Sequence, residues 1–100
     1  MSDISFDFLS DSTEETSTRF VTFVGEQSLK RYDLAITTTG RFYGKKIVAD
    51  LQSGKTAILG PDDLEEEGYL EHVYQLNEEE GIELRAFLDL IVGVVHFSDL

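Results

Sequence analysis

Cysteine is absent from this 100-residue chain, which excludes every function that needs a thiol. The protein cannot form disulfide bonds, thiolate zinc sites or a thiol nucleophile. Long apolar runs are also missing: no stretch approaches the roughly 20 residues of a membrane-spanning helix. The first residues, MSDISFDFLSDS, lack the basic and apolar parts of a signal peptide. We therefore expect a cytoplasmic protein with no membrane partner.

Common catalytic and phosphate-binding motifs are missing as well. The chain contains no Gly-x-Ser-x-Gly, Gly-x-Gly-x-x-Gly, Walker A or His-Glu-x-x-His pattern. Gly54-Lys55-Thr56 matches only the last letters of a P-loop, and it lies in a predicted hairpin instead of before a helix. The sequence therefore predicts neither a cofactor nor a catalytic residue.

Positive charge is scarce: the chain has eight Lys and Arg residues but twenty Asp and Glu residues, for a net charge of −12. The imbalance is uneven, because residues 30–55 carry +4 and the remainder carries −16. Such a field repels nucleic acid and anionic membranes overall but leaves one basic island. The island could meet a phosphate, or an acidic surface on another copy of the protein.

Hydrophobic residues make up 41% of the chain, which fits one globular domain over residues 1–100. Apolar and polar residues alternate with the period of two that is typical of β-strands. The strands are predicted at residues 4–9, 19–24, 31–38, 43–51 and 55–59. The last two form an antiparallel hairpin, with Gly54 supplying a positive φ. Residues 1–10 are a terminal strand that can fray, and residues 93–100 form an apolar tail.

Two helix starts are visible in the second half of the chain. Residues 60–63, GPDD, place proline at the first helical position and two carboxylates at the positive end of the helix dipole. This short helix should end at Gly68. Asn77 and Glu80 have the spacing of a capping box, which starts a longer helix that we end near Val92.

The segment between these helices, residues 69–76, is ambiguous. Its apolar spacing fits a helix face, and its aromatic and β-branched residues fit a strand equally well. We predict a strand at residues 70–75, because a new helix begins directly after it.

Taken together, these elements predict a two-layer α+β domain. Its mostly antiparallel sheet has five or six strands, with one short and one longer helix on one face. Apolar residues occur on both sheet faces, however: Phe20 and Val24 point opposite to Val21 and Phe23. The second face could be covered by the tail or by a second copy, or it could carry scattered apolar residues as most surfaces do. We favour a homo-oligomer. Because no catalytic motif is present, we predict a non-enzymatic, self-associating interaction module.

A basic and aromatic turn is the candidate partner-binding site. It consists of Arg41, Phe42, Tyr43, Lys45 and Lys46. We expect it to face a protein partner or another copy. Single-stranded nucleic acid is the alternative ligand, because cations follow phosphates and rings stack on bases. The structural alternative is that a ring plugs the core edge and the lysines protect an exposed strand edge.

Carboxylates near one of the two histidines raise one enzymatic alternative. Glu67, Glu71 and His72 could form the metal site of a hydrolase. Consecutive carboxylates on a helix, such as those of residues 62–67, point in different directions, whereas a hard cation needs converging oxygens. The sequence therefore favours helix capping and a solvated acidic face, and we predict no metal.

Three segments carry a resemblance to known proteins: TEETSTRFV, RYDLAI and RFYGKKIVADLQSGKTAILGPDDLEEEGYLEHVYQL, of which GPDDLEEEGYLEH is the most specific part. They resemble a family of small acidic proteins from Gram-positive bacteria that is known only as a domain of unknown function. The resemblance spans residues 13–91. The resemblance implies a bacterial cytosolic protein. It carries over no catalytic residue, ligand or partner.

Overall fold

A computed structural model describes residues 3–92 of the protein. Within them, four strands form one antiparallel sheet: β1 (Ser17–Val24), β2 (Arg31–Thr38), β3 (Lys46–Asp50) and β4 (Thr56–Leu59). The strands lie in the order β1-β2-β3-β4, so each one pairs with the next along the chain. β1 and β4 are the two edges of the sheet.

Three helices follow the sheet in this part of the chain: α1 (Pro61–Glu65), α2 (Tyr69–Tyr74) and α3 (Glu78–Asp89). They pack on one face, since the buried strand residues share that face in the strand register. These residues are Tyr32, Leu34, Ile36, Val48 and Leu59. The helices add Leu64, Leu70, Tyr74, Leu84 and Leu88 to the same core. The predicted α+β class and antiparallel sheet are confirmed, although one helix was not foreseen.

Short-range signals placed most elements correctly. β2 covers the predicted residues, and Gly54 has a φ of 79° in the turn between β3 and β4. At the start of α3, the backbone N–H of Glu80 donates to the Asn77 side chain at 2.8 Å, and that of Asn77 donates to the Glu80 carboxylate at 2.9 Å. These elements were predictable because residues close in sequence determine each of them.

The predicted strand at residues 4–9 is wrong. Ile4, Phe6 and Phe8 are 71–79% exposed, and this segment pairs with no strand among the described residues. Alternating side chains do not make a strand without a neighbour, because extended backbone finds its hydrogen-bond partners only across a ladder. The sheet therefore has four strands instead of five or six.

The predicted strand at residues 70–75 is also wrong, because α2 occupies this segment. Leu70 and Tyr74, four residues apart, are both buried on the side of the helix that meets the core. Gly68, with a φ of 80°, starts the helix, and Gln75, with a φ of 57°, ends it. Aromatic and β-branched content is therefore overridden here by burial at helical spacing.

α3 ends at Asp89, three residues before the predicted end near Val92. Beyond it, the backbone N–H groups of Leu90 and Ile91 each donate to the carbonyl three residues earlier, at 3.0 Å. Such bonds tighten the chain out of α-helical geometry. The predicted apolar tail at residues 93–100 lies outside the described residues.

Tyr74 joins the helical layer to the centre of the sheet. It is 3% exposed, and its hydroxyl donates to the carbonyl of the fully buried Val48 at 2.8 Å. Burial raises the pKa of the Tyr74 phenol above its ordinary value, so the hydroxyl keeps its proton.

We expect Tyr74→Phe to lower the free energy of unfolding by about 1–2 kcal/mol, because the buried carbonyl loses this donor. Urea titration followed by circular dichroism measures the change. Tyr43→Phe is the matched control, since Tyr43 is fully exposed. Equal urea midpoints for the two variants would show that the Tyr74 hydroxyl contributes nothing.

Candidate interaction surface

The sheet face opposite the helices, which we call the open face, carries several exposed apolar side chains. Its twelve side chains follow from the register: Thr18, Phe20, Thr22, Val24, Arg31, Asp33, Ala35, Thr37, Ile47, Ala49, Thr56 and Ile58. Phe20 is 73% exposed, Val24 55% and Ile58 39%. The apolar residues that the sequence placed on a second face are therefore at the surface. Within residues 3–92, this side of β1 is therefore exposed.

Polar groups on the open face are paired with one another. The hydroxyl groups of Thr18 and Thr37 lie 2.8 Å apart across β1 and β2. Asp33 accepts hydrogen bonds from the Thr22 hydroxyl at 2.6 Å and from the Arg31 guanidinium at 3.0 Å. The hydrogen bond from Thr22, with further help from Arg31, lowers the pKa of Asp33. A protein surface that covers the open face would therefore not need to supply hydrogen-bond partners for these groups.

The open face carries no net charge, although the chain carries −12. Its only charged side chains are Arg31 and Asp33, which form an ion pair with each other. The excess carboxylates lie in the segment before β1, on the helices and in loops. The fold thus separates a partly apolar surface of zero net charge from the rest of the protein, which is strongly acidic.

The basic residues of the predicted turn are largely engaged within the chain. The Arg41 guanidinium donates to Glu14 and to Ser12, both at 2.9 Å. The Lys45 ammonium lies 3.6 Å from the Asp63 carboxylate at the start of α1. The charge available to an outside phosphate is reduced accordingly.

The remaining residues of this turn differ in exposure. Lys46 donates to the Thr38 hydroxyl at 2.9 Å, and Phe42 is half-buried beside β4. Tyr43 is fully exposed, so its ring is free to contact a partner. Binding of a protein partner or of single-stranded nucleic acid at this turn stays a prediction, with Tyr43 as its most accessible residue.

Sequence reasoning missed Glu83, which joins α3 to the loop between β1 and β2. Its carboxylate accepts hydrogen bonds from the backbone of Gln27 and Ser28, both at 3.1 Å, and from the hydroxyl groups of Ser28 and Tyr32. These donors, above all Ser28, lower the pKa of Glu83 from 4.5 to about 2. No local signal could reveal this contact, because its partners are more than 50 residues apart in sequence.

Beside this loop, β1 and α3 border a groove of about 640 Å³, which we call the edge groove. Phe23, Ile82 and Ala86 give it an apolar lining. Glu26, Glu78 and Glu79 are exposed around it. Among the residues described, none of these three carboxylates takes part in an ion pair. The groove therefore combines apolar surface with uncompensated negative charge.

A family model was found to match residues 9–90 of the chain, and its description is SAV0927-like. The protein belongs to the SAV0927-like family. This is an uncharacterised family, in agreement with the resemblance to a domain of unknown function. No curated protein matches the chain.

The match to the SAV0927-like family takes in every strand and helix described above. Both the open face and the edge groove therefore lie within the domain that defines the family. Ile4, Phe6 and Phe8, three of the exposed apolar residues before β1, lie outside the match.

Glu67, Glu71 and His72, the candidate hydrolase residues, do not form a metal site in the structure of this SAV0927-like protein. Among residues 3–92, no group of three or more Asp, Glu or His side chains could hold a metal ion. Glu71 instead lies against the backbone of Gly81, where a Cβ atom would collide with its carboxylate. The missing side chain of Gly81 thus gives Glu71 of α2 room to lie against α3.

Among the helices in the described part of this SAV0927-like chain, none is both long enough and apolar enough to cross a membrane.

Proposed function

We propose that this SAV0927-like protein is a non-enzymatic interaction module that assembles with copies of itself through the open face. One observation carries the proposal. A chain of net charge −12 has a sheet face of zero net charge, on which Phe20, Val24 and Ile58 are exposed.

Charge favours this face over any other for contact between identical copies. Two copies of charge −12 repel each other, and like charges brought together in an interface cost free energy. On the open face the only charges neutralise each other. Salt at about 0.15 M limits the remaining repulsion to a range of about 8 Å. Assembly should therefore strengthen from low to moderate salt.

Burial of the apolar side chains supplies the driving force. Removing one exposed Phe side chain from water contributes about 1.5–3 kcal/mol. A two-fold interface uses the same patch on both copies, so Phe20 contributes twice. The paired threonine hydroxyls and the Arg31–Asp33 pair bring few unsatisfied polar groups into the contact.

Phe20→Asp should separate the copies. Two lost Phe contacts amount to about 3 kcal/mol or more, which raises the dimer dissociation constant by about a hundredfold or more. Size-exclusion chromatography with light scattering, at 0.15 M salt and over a range of protein concentrations, measures the change. Leu29→Asp is the matched control: Leu29 is 75% exposed in the β1–β2 loop, and aspartate tolerates its φ of 62°.

A wild-type protein that stays monomeric at high concentration would contradict the proposal. In that case a variant truncated after Val92 tests whether the C-terminal residues cover the open face. If the truncated chain associates and the 100-residue chain does not, we infer that residues 93–100 cover the open face within one copy. Equal masses for Phe20→Asp, Leu29→Asp and wild type would also remove the open face as the contact surface.

A further inference from the structure

β1 is an edge strand whose outer side has no partner in the described part of the chain. It spans eight residues and pairs only with β2. Two residues of the preceding segment are held elsewhere, because Arg41 donates hydrogen bonds to Ser12 and Glu14 at the turn after β2. An open edge of this length offers a row of backbone donors and acceptors to another strand.

The two ends of β1 carry opposite charges on the helix side of the sheet. The edge groove, with Glu26, Glu78 and Glu79, lies at the C-terminal end. Arg19 lies near the N-terminal end, where the register places it on the same side as the buried Ile36. Arg19 is exposed and forms no ion pair with another residue in the described range.

We propose that β1 pairs antiparallel with β1 of a second copy, and that Arg19 of each copy enters the edge groove of the other. Two-fold pairing centred on Val21 brings Arg19 opposite Phe23 of the second copy. Residues directly opposite in an antiparallel pair point to the same face, and both of these side chains are on the helix side. The interface is self-complementary, because each copy supplies one arginine and one groove.

The chemistry of the groove suits a guanidinium group. Arginine can lay its apolar stem along Phe23 and Ile82 while its charged end meets the carboxylates. Each of the two copies thereby gains a cation for a groove that has none of its own.

This pairing rests on the proposed self-assembly but uses a different surface. Side chains of the open face point away from the helices, whereas the edge contact uses the outer backbone of β1 and its helix side. Two sheets joined along β1 form one sheet of twice the width and double the area of the open face. The edge contact thus names a second interface between copies.

Charge reversal tests the proposal. Arg19→Glu should raise the dissociation constant of the edge dimer by about tenfold, since the contact occurs twice and each exposed pair is worth about threefold. Glu78→Arg with Glu79→Arg should weaken it similarly. Combining all three changes should restore association. Lys55→Glu, an equal change of charge in the β3–β4 turn, is the control.

An opposite role for Arg19 makes a distinct prediction. A charge on an edge strand can serve to prevent pairing. If Arg19 has that role, Arg19→Val strengthens association. If Arg19 fills the groove, Arg19→Val weakens it. Stronger association of Arg19→Val, or no rescue by the combined reversal, would overturn the proposal.

The two proposed interfaces can be tested separately. Ile58→Asp alters the open face at the far edge of the sheet and leaves β1 untouched. If Ile58→Asp dissociates the copies and Arg19→Glu does not, the edge contact alone is overturned. If Arg19→Glu dissociates them and Ile58→Asp does not, assembly through the open face is overturned. Hydrogen exchange gives an independent readout: β1 amides should become more protected as protein concentration rises. Unchanged protection would overturn the edge pairing.

Discussion

Leu88→Ala should lower the free energy of unfolding by about 3 kcal/mol, within the range of about 2–5 kcal/mol found for buried leucines. Leu88 is fully buried on α3 and lies in the cluster that joins the helices to β2, β3 and β4. Alanine leaves a cavity there, because the buried side chains around Leu88 can close it only in part.

This loss is a large fraction of the total stability expected for a chain of this length. Domains of about 100 residues are stable by only about 5–15 kcal/mol. Urea titration measures the change, provided that the slope of unfolding free energy against urea concentration is the same in wild type and variant. Leu90→Ala is the control: Leu90 directly follows α3, is 70% exposed and should change stability by less than about 0.5 kcal/mol. A Leu88→Ala midpoint close to that of Leu90→Ala would show that this core is not tightly packed.

Glu83→Gln should destabilise the protein at neutral pH and remove part of its sensitivity to acid. Folding lowers the pKa of Glu83 to about 2, from an ordinary value of 4.5. Its stabilising contribution is therefore fully present above pH 4.5 and is lost as the pH falls toward 2. Glutamine keeps the size of the side chain but has one acceptor oxygen, and its NH₂ group would face the donors of Gln27 and Ser28.

Urea midpoints of wild type and Glu83→Gln at pH 7, 4 and 2.5 test this expectation. The gap between the two proteins should be widest at pH 7 and should narrow as the wild type loses its charged carboxylate. Glu65→Gln on α1 provides the comparison, because Glu65 is exposed and accepts no side-chain hydrogen bond from any described residue. A gap that is constant with pH would mean that the Glu83 charge does not hold the loop.

Sequence reasoning succeeded where a few neighbouring residues determine the backbone. The alternation in residues 31–38, the positive φ of Gly54 and the Asn77–Glu80 capping box each require only local information. It failed at residues 4–9 and 70–75, where the outcome depends on what lies nearby in space. Alternation without a pairing partner gave no strand, and a strand-like composition became helical because Leu70 and Tyr74 meet one core.

The candidate surfaces were predictable to different degrees. Apolar residues on both sides of β1 predicted a second sheet face with apolar side chains, which Phe20 and Val24 occupy. The local charge count around residues 41–46 could not reveal that Arg41 and Lys45 face Glu14 and Asp63, since these partners are about 18–27 residues away. The edge groove depends on α3 lying beside β1, which no sequence pattern specifies.

The order of the strands also bears on how the chain folds. Every strand pairs with its immediate neighbour in sequence, so the sheet can grow hairpin by hairpin without a crossover. Low contact order of this kind keeps the entropy lost in loop closure small and favours rapid folding. The costliest closure is the one that brings α3 back to the β1–β2 loop, where Glu83 meets Ser28, 55 residues away.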